Sequence, residues 1–373
     1  MSIPRFSFCR AFATVDLAAI CRNFCLVRQH IRARAPRARV IAVVKTNAYG
    51  HGLLPVSAAL HRAGCDFFAV ATAEEALSLR PLCPTAEILI LGYTPPRLAP
   101  LLAKERILQA VFSVPYAQAL SAALGDLPLG IHLKADGGLC REGFDLDDKS
   151  GMATALEQKN LRLQGFFTHF PKADTDQEDT RHALDKFLAC HRWLQKRNGP
   201  VFAHAAASAA LLTLPESILD GARAGLLLYG LSPVRTALPL RPALSLFAPI
   251  QQIRTVKRGT PVGYGGDFLT TRESRIGTLP IGYGDGLCRP MSGAPVTLLH
   301  EKKRFSVPIC GRISMDMTTV DLTDTPACEG DTVCLFESAD IPAARLGSIP
   351  YEVLTALSPR VERQYVSNFQ ELL

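Results

Sequence analysis

No stretch of this 373-residue chain stays apolar for the roughly 18 residues that a membrane-crossing helix needs. No secretory leader is expected either, because Arg10 and Asp16 interrupt any signal-type apolar core in MSIPRFSFCRAFATVDLAAICRNF, a short untidy leader being the alternative. The segment therefore reads as mature structure. Eleven cysteines are present, an odd number, and none forms a CxxC pair. Cys21 and Cys25 stand four apart on an expected helix and have no second ligand pair, so neither zinc nor any other metal is expected. Without a secretion signal, free thiols in a reducing cytoplasm are the reading. The chain also has no internal repeat and no low-complexity linker.

What is present describes a globular protein with ample core: 48% hydrophobic and 20% charged residues. Its length suits about two domains, one of which could be a barrel of roughly 250 residues. The net charge of +7 raises nucleic acid as a partner, yet the basic residues are scattered apart from RQHIRARAPRAR (28–39). That cluster reads as a solvated helix end and loop, so neither nucleic acid nor membrane is an expected partner.

From about residue 40 to 230 short apolar runs alternate with helix-like segments, the pattern of repeated βα units and a parallel sheet. The runs are VIAVVK (40–45), DFFAVA (66–71), EILILG (87–92), ILQAVF (107–112), GIHLKA (130–135), LRLQGFFTH (161–169), PVFAHA (200–205) and GARAG (221–225). PVSAALHRAG (55–64), TAEEALSLR (72–80) and EDTRHALDKFLACHRWLQKRN (178–198) carry helical spacing between them. Eight strands with helical returns predict a (β/α)8 TIM-type barrel, an open doubly wound sheet being the alternative. After LSPV (231–234) the pattern changes to short β-type runs between Gly, Pro and Asp turns, which predicts a mostly antiparallel β domain. The boundaries expected are 12–238 for the barrel and 239–373 for the β domain, with a contribution from residues 1–11 left open.

A barrel of this type carries its site at the C-terminal ends of its strands. Lys45 ends the first predicted strand, Lys134 lies late in the fifth, His169 ends the sixth, His204 lies late in the seventh and Arg223 is in the eighth. One lysine at a strand end is an ordinary snorkelling side chain. Several cationic or imidazole groups on one rim call for an anionic occupant. A lysine whose pKa is lowered by apolar walls and cationic neighbours can attack an aldehyde to form a Schiff base, and pyridoxal phosphate is an aldehyde that also brings a phosphate. Ser208 and Ala209 after the seventh strand, and Gly225 and Leu226 after the eighth, would cradle it. Each alone is weak, since Ser208 could be an N-cap and Gly225 a turn glycine.

VVKTNAYGHG (43–52) resembles the pyridoxal-phosphate attachment motif of the alanine racemase family. Further motifs similar to that family's follow in order: HLKADGGLCREGF (132–144), FFTHF (166–170), HAAASAA (204–210), ARAGLLLYG (222–230), VGYGG (262–266), LPIGYGDG (279–286), GRISMDMTTVD (311–321) and PYEVLTAL (350–357). The resemblance implies an eight-unit barrel followed by a β domain, in a head-to-tail homodimer whose sites each combine one barrel with the other chain's β domain. It implies that Lys45 carries the cofactor and acts as a base on one face of the substrate α-carbon. Tyr264, from the partner subunit, would be the opposite base. A phenol of pKa near 10 needs help to serve as a base, and His169 and Arg223 are suited to give it. Arg223 would also face the pyridine nitrogen without yielding its proton. Tyr49, Ser208, Gly225, Leu226 and Tyr351 match the phosphate-holding set. Arg141 matches a residue that contacts the cofactor's phenolic oxygen and the substrate carboxylate. The Met315 amide would reach that carboxylate, and Tyr283 would guard the entrance, both from the partner subunit. Lys134 matches a lysine that is carbamylated in several members, where repulsion from Arg141 gives the modification a motive.

Departures from the family pattern stand at Ala207 in place of Asn, at Gly137, Gly138 and Leu139 in place of Thr-Gly-Met, at Gly263 in place of Ser, and at Met317 in place of Gln. They spare both bases but remove side chains around them. The activity implied is interconversion of L- and D-alanine, supplying D-alanine for peptidoglycan in the cytoplasm. Tyr351 and Tyr283 suggest a small pocket, with serine or a broader range as the alternative. A decarboxylase of the same architecture would need a substrate-binding cysteine from the second domain, and a non-catalytic carrier built on this barrel normally lacks that domain.

Overall fold

The computed structural model describes residues 10–367, so the reading of residues 1–9 as mature structure lies outside it. The chain forms two compact units. One comprises Ile20–Ala48 and Leu53–Leu240. The other takes the described residues up to Ala19, then Tyr49–Gly52, and the described residues from Arg241 onward.

The earliest strand corrects the expected start of the barrel at residue 12. β1 (Phe12–Asp16) pairs antiparallel with strand Leu244–Pro249 and parallel with strand Glu362–Val366, so it belongs to the β unit. All five of its residues are buried, and Phe12 stacks on Phe247 with ring centroids 5.4 Å apart. FATVD is a short buried run like the barrel strands, and its partners lie more than two hundred residues away, which is why local pattern places it wrongly.

The other unit holds eight parallel strands: β2 (Arg39–Val43), β3 (Phe67–Val70), β4 (Glu87–Ile90), β5 (Leu108–Val111), β6 (Leu129–Lys134), β7 (Leu161–Phe167), β8 (Phe202–His204) and β9 (Gly221–Ala224). They run in the order β8-β7-β6-β5-β4-β3-β2-β9. Most are buried along nearly their whole length, as parallel strands covered by helices must be. Closure decides between barrel and open sheet. Asp220 N–H donates to Ala203 O at 3.0 Å and Arg223 N–H to Ala206 O at 2.9 Å, joining β9 to the segment that continues β8. The sheet thus closes into the expected (β/α)8 barrel.

Helices return the chain between strands, and their ends follow sequence chemistry. Asp176 caps helix Gln177–Asn198, with Glu178 and Asp179 in its first turn and Lys196 and Arg197 in its last, complementing the helix dipole. Leu184, Phe187, Cys190, His191 and Leu194 form its buried stripe. Phe187 lies flat on Phe166 of β7 at 4.5 Å, and burying a ring of this size stabilises by roughly 1.5–3 kcal/mol.

The β unit is mostly antiparallel, as expected. Its main sheet runs Lys303–Pro308, Pro295–His300, Thr332–Phe336, Leu244–Pro249, β1, Glu362–Val366, and a three-stranded sheet joins Gln252–Val256, Ser274–Leu279 and Thr318–Asp321. The continuous stretch 243–256 therefore serves two sheets. Pro249 has no N–H to continue a ladder, Ile250 N–H donates to Asp331 O, and Gln251 N–H then turns to Thr278 O.

Candidate active site

β2 ends at Val43, and the chain then does something costly. Thr46, Asn47, Ala48 and Tyr49 have φ of 54°, 54°, 52° and 52°, a full left-handed turn without a glycine. Left-handed helical geometry costs an L-residue roughly 1–2 kcal/mol. The turn is held by bonds at several points: Ala48 N–H donates to Val44 O at 2.8 Å, and Asn47 N–H to Glu75 Oε1 at 3.2 Å. Glu75 Oε2 accepts from Ala71 N–H at 2.9 Å, and Asn47 Oδ1 accepts from Leu53 N–H at 2.8 Å. Strain fixed in this way marks a position where geometry is being imposed. Gly50 ends the turn at φ 79°, and a Cβ there would stand 2.2 Å from Leu354 O, so no other residue fits. Buried His51 donates Nδ1–H to Tyr49 O at 2.9 Å, which gives it a structural role.

Lys45 opens this turn at the rim of the barrel. Burial lowers its pKa first, and Arg141, Lys134 and Arg223 lower it further, while Glu75 partly opposes them. The rim cations predicted from strand ends are thus brought together. Arg223 on β9 is buried and tightly held. Its Nη1 donates to His204 Nδ1 at 2.9 Å and to His204 O at 2.8 Å. Its Nη2 donates to Thr168 O at 2.6 Å and Ala205 O at 2.9 Å, and lies 3.4 Å from His169 Nδ1. Burial lowers the Arg223 pKa to about 9, so the guanidinium is charged at neutral pH. Among the described residues nothing accepts from its Nε–H.

His169 follows β7, and burial together with the charge of Arg223 pushes its pKa down to about 3. It is a neutral ring whose Nδ1 accepts, leaving Nε2–H free to donate outward. His204 corrects one expectation: it is fully buried against His132, Nδ1 of one 2.9 Å from Nε2 of the other, and is not a rim group.

Lys134 at the end of β6 has its own counter-ion. Its Nζ stands 2.8 Å from Glu142 Oε2, a residue the sequence reading passed over because it lies in the loop after Arg141. That loop is shaped by Asp136, whose carboxylate accepts from the N–H groups of Gly138, Leu139 and Arg141 at 2.9, 2.7 and 3.2 Å. Gly137 leaves no room for a side chain, since a Cβ would meet His169 O and Thr168 Oγ1 at 2.7 Å. The Arg141 side chain is exposed.

Beyond β8 and β9 lie the two loops expected to cradle a phosphate. Ser208 Oγ accepts from Gly225 N–H at 3.2 Å, tying the two loops together. Ser208 and Ala209 open helix Ser208–Thr213 and Leu226 opens the 3-10 turn Leu226–Tyr229, so their N–H groups precede any helical acceptor. Ala207 stands at the N-cap and gives that helix no side-chain bond. Uncommitted amides, a lysine of lowered pKa and an arginine with one free N–H fit a phosphate-bearing aldehyde with a ring nitrogen.

Two family models cover almost the whole chain: the alanine racemase N-terminal domain at residues 15–233 and the alanine racemase C-terminal domain at residues 243–365. The chain belongs to the alanine racemase family. An alanine racemase of Desulfovibrio desulfuricans is 37% identical over 372 residues, spanning 95% of this chain and 98% of that protein. The alanine racemase of Bacillus anthracis with bound L-Ala-P superposes with a TM-score of 0.88 at 34% identity, over 97% of this chain and 96% of that one. The alanine racemase of Bartonella henselae with covalently bound pyridoxal phosphate gives 0.82 at 29% identity, over 96% and 99%.

The remaining sites expected in an alanine racemase lie in the β unit. Tyr264 is 72% exposed on the 3-10 turn Tyr264–Gly266, which Arg312 steadies by a two-pronged ion pair with Asp267. Tyr283 and Met315 occupy two loops laced together, Tyr283 N–H to Ser314 O at 3.0 Å and Gly284 N–H to Met315 O at 2.9 Å. Tyr283, Met315 and Met317 are all exposed. Sequence reasoning missed what fixes these loops: buried Asp285 pairs with Arg10 at 3.4 Å and Arg360 at 3.2 Å, and Arg360 continues to Asp316 at 2.6 Å. The aspartate in IGYGDG was the available signal. Tyr49 and Tyr351 place their ring centroids 5.7 Å apart, and burial raises the Tyr49 pKa, keeping it a hydroxyl donor.

Proposed function

We propose that this protein is a pyridoxal-phosphate-dependent alanine racemase that interconverts L- and D-alanine with two bases, in a homodimer whose sites are each completed by the second copy. The observation that carries this reading is the rim itself: Lys45 with a pKa lowered by burial and by its cationic neighbours, Arg223 among them, whose Nη hydrogens are committed, with Nη2 shared with His169 Nδ1, and whose Nε–H is not.

Pyridoxal phosphate, when bound, supplies an electron sink that acidifies the proton on the substrate α-carbon. Lys45 would hold its aldehyde carbon. The N–H groups around Ser208, Gly225 and Leu226, with the hydroxyls of Tyr49 and Tyr351, would hold its phosphate. The Arg223 Nε–H would approach the ring nitrogen and keep its proton, which limits charge build-up in the ring and so suppresses side reactions. Arg141 and the Met315 amide of the second copy would hold the substrate carboxylate, and Tyr283 of that copy would guard the entrance.

Racemisation needs proton transfer on both faces of the α-carbon, since one base tends to return the proton where it was taken. Lys45 Nζ serves one face and Tyr264 Oη, from the second copy, the other. His169 donates Nε2–H toward the phenolate and so lowers the cost of forming it, with Arg223 fixing the imidazole tautomer.

Among the described residues no helix is long and apolar enough to cross a membrane. A cytoplasmic enzyme making D-alanine for peptidoglycan suits this reading. Incubation with L-alanine and pyridoxal phosphate, followed by chiral chromatography and gas analysis, should give D-alanine without carbon dioxide. Gas alone would support a decarboxylase, and neither product would sink the enzyme assignment. Serine differs from alanine by a discrimination of only about 1–3 kcal/mol in an apolar pocket, so slow turnover of L-serine and less of L-lysine are expected. Equal rates on all three would overturn the small pocket.

A further inference from the structure

We infer that Arg363, on strand Glu362–Val366, is a positioning residue for the cofactor phosphate: its guanidinium gathers the two chain segments that carry Tyr49 and Tyr351 and so sets the gap that the phosphate enters. The inference rests on the proposed phosphate-holding role of those two tyrosines.

Arg363 is half-buried and donates to four main-chain carbonyls. Its Nε–H donates to Gly50 O at 3.0 Å, Nη1 to Ser358 O and Val361 O at 2.6 Å each, and Nη2 to Leu357 O at 2.8 Å. Gly50 directly follows Tyr49, while Leu357 and Ser358 follow helix Pro350–Thr355, which carries Tyr351. Gly50 and Arg363 stand 313 residues apart in the chain, so no local bond could bring these segments together. A guanidinium suits the task because its N–H groups point in fixed directions around one plane and reach acceptors on several sides, which a lysine ammonium on a flexible stem does not.

The neighbouring contacts grip the same turn. Residues two apart on a strand face one side, and Tyr365 accordingly meets the turn beside Arg363: a Cβ on Gly52 would stand 2.0 Å from Tyr365 Oη. From the Tyr351 helix, Leu354 O closes on Gly50, where a Cβ would stand 2.2 Å away. Tyr49–Gly52 is thus held between that helix and the last strand, with the Tyr49 and Tyr351 ring centroids 5.7 Å apart. Two hydroxyls fixed at their working separation before the phosphate arrives bind it with less ordering cost than two that must be brought together. Without the guanidinium, four carbonyls lose their donor and the two segments lose their common anchor.

The test compares pyridoxal phosphate with pyridoxal, which has the same aldehyde and ring but no phosphate, in titrations of the cofactor-stripped full chain followed by absorbance. R363Q should weaken capture of pyridoxal phosphate about tenfold and leave capture of pyridoxal within about twofold of wild type. A general loss of structure would weaken both. Y49F should weaken pyridoxal phosphate too, and R363Q combined with Y49F should be no weaker than the poorer single variant, because the position of Tyr49 no longer matters once its hydroxyl is gone. R363K, which keeps the charge without the fork, should fall between wild type and R363Q, and it serves as the comparison if R363Q does not fold. Unchanged capture of pyridoxal phosphate in both Arg363 variants, equal loss of the two aldehydes, or losses that multiply in the double variant would each overturn the inference while the wild-type preference for pyridoxal phosphate stands. Wild-type protein that captures the two aldehydes equally well would overturn the phosphate-holding role of the tyrosines itself, and the inference with it.

Discussion

Arg223 Nη1 lies 2.9 Å from His204 Nδ1, and because a guanidinium has no lone pair to offer, the histidine nitrogen must be the acceptor. The tautomer follows: His204 carries its proton on Nε2 and gives it to His132 Nδ1, 2.9 Å away. A charged arginine at the rim thus fixes two neutral rings inside the barrel. Both pKa values are depressed, first by burial and then by charge, that of His132 to about 3.

Acid should therefore unfold this protein earlier than its carboxylates require. Below the ordinary histidine value of 6.5 the unfolded chain binds protons that the native barrel refuses, so stability falls as pH drops toward about 3. The His132 ring contributes up to about 1.4 kcal/mol per pH unit over that window, and His204 acts in the same direction. Urea midpoints measured from neutral pH down to about pH 4 should decline steadily. A flat profile would show that the rings charge in place.

The left-handed turn makes a second expectation, one that reverses the usual rule for glycine. Ala48 and Ala59 are both buried, yet Ala48 has φ 52° and Ala59 sits in helix Leu53–Arg62. A59G should cost about 1 kcal/mol, whereas A48G relieves strain and should be neutral or stabilising, a difference of roughly 1–2 kcal/mol in denaturant titrations. Equal losses in the two variants would mean that the turn is not strained.

That turn also marks where sequence stopped being informative. The eight barrel strands were legible because strands covered on both faces become continuous apolar runs, and Lys45 and His169 were legible because they end such runs, Arg223 because it interrupts one. The roles proposed for Tyr264 and Tyr283 come through resemblance alone, since nothing local sets either apart from a packing tyrosine. Thr46, Asn47 and Ala48 give no sign of left-handed geometry, which Glu75 and Asn47 impose through bonds made only after folding. Glu142 was equally hidden, because its meeting with Lys134 depends on the fold of the intervening loop. The pairing of β1 with strand Glu362–Val366 joins the two ends of the chain, beyond the reach of any local pattern.

Burial and the neighbouring cations lower the Lys45 pKa from the ordinary lysine value of 10.5, so it should react as an amine at lower pH than a free lysine. Arg141 is the largest charge contribution to that shift, so R141Q should raise the Lys45 pKa and move the capture of added pyridoxal phosphate toward alkaline pH. The shape of the pH profile, followed by absorbance, separates this from weaker binding. No alkaline shift in R141Q would remove Arg141 from the electrostatics of Lys45.

The central claim is a racemase whose two bases come from two copies of one chain, and mixing inactive variants tests it directly. K45A and Y264F should each fail to racemise alanine alone. After the subunits reassort, a mixed dimer has one doubly defective site and one with both bases, so random mixing should restore about a quarter of wild-type D-alanine formation. No recovery in a mixture that demonstrably contains the mixed dimer would contradict the account.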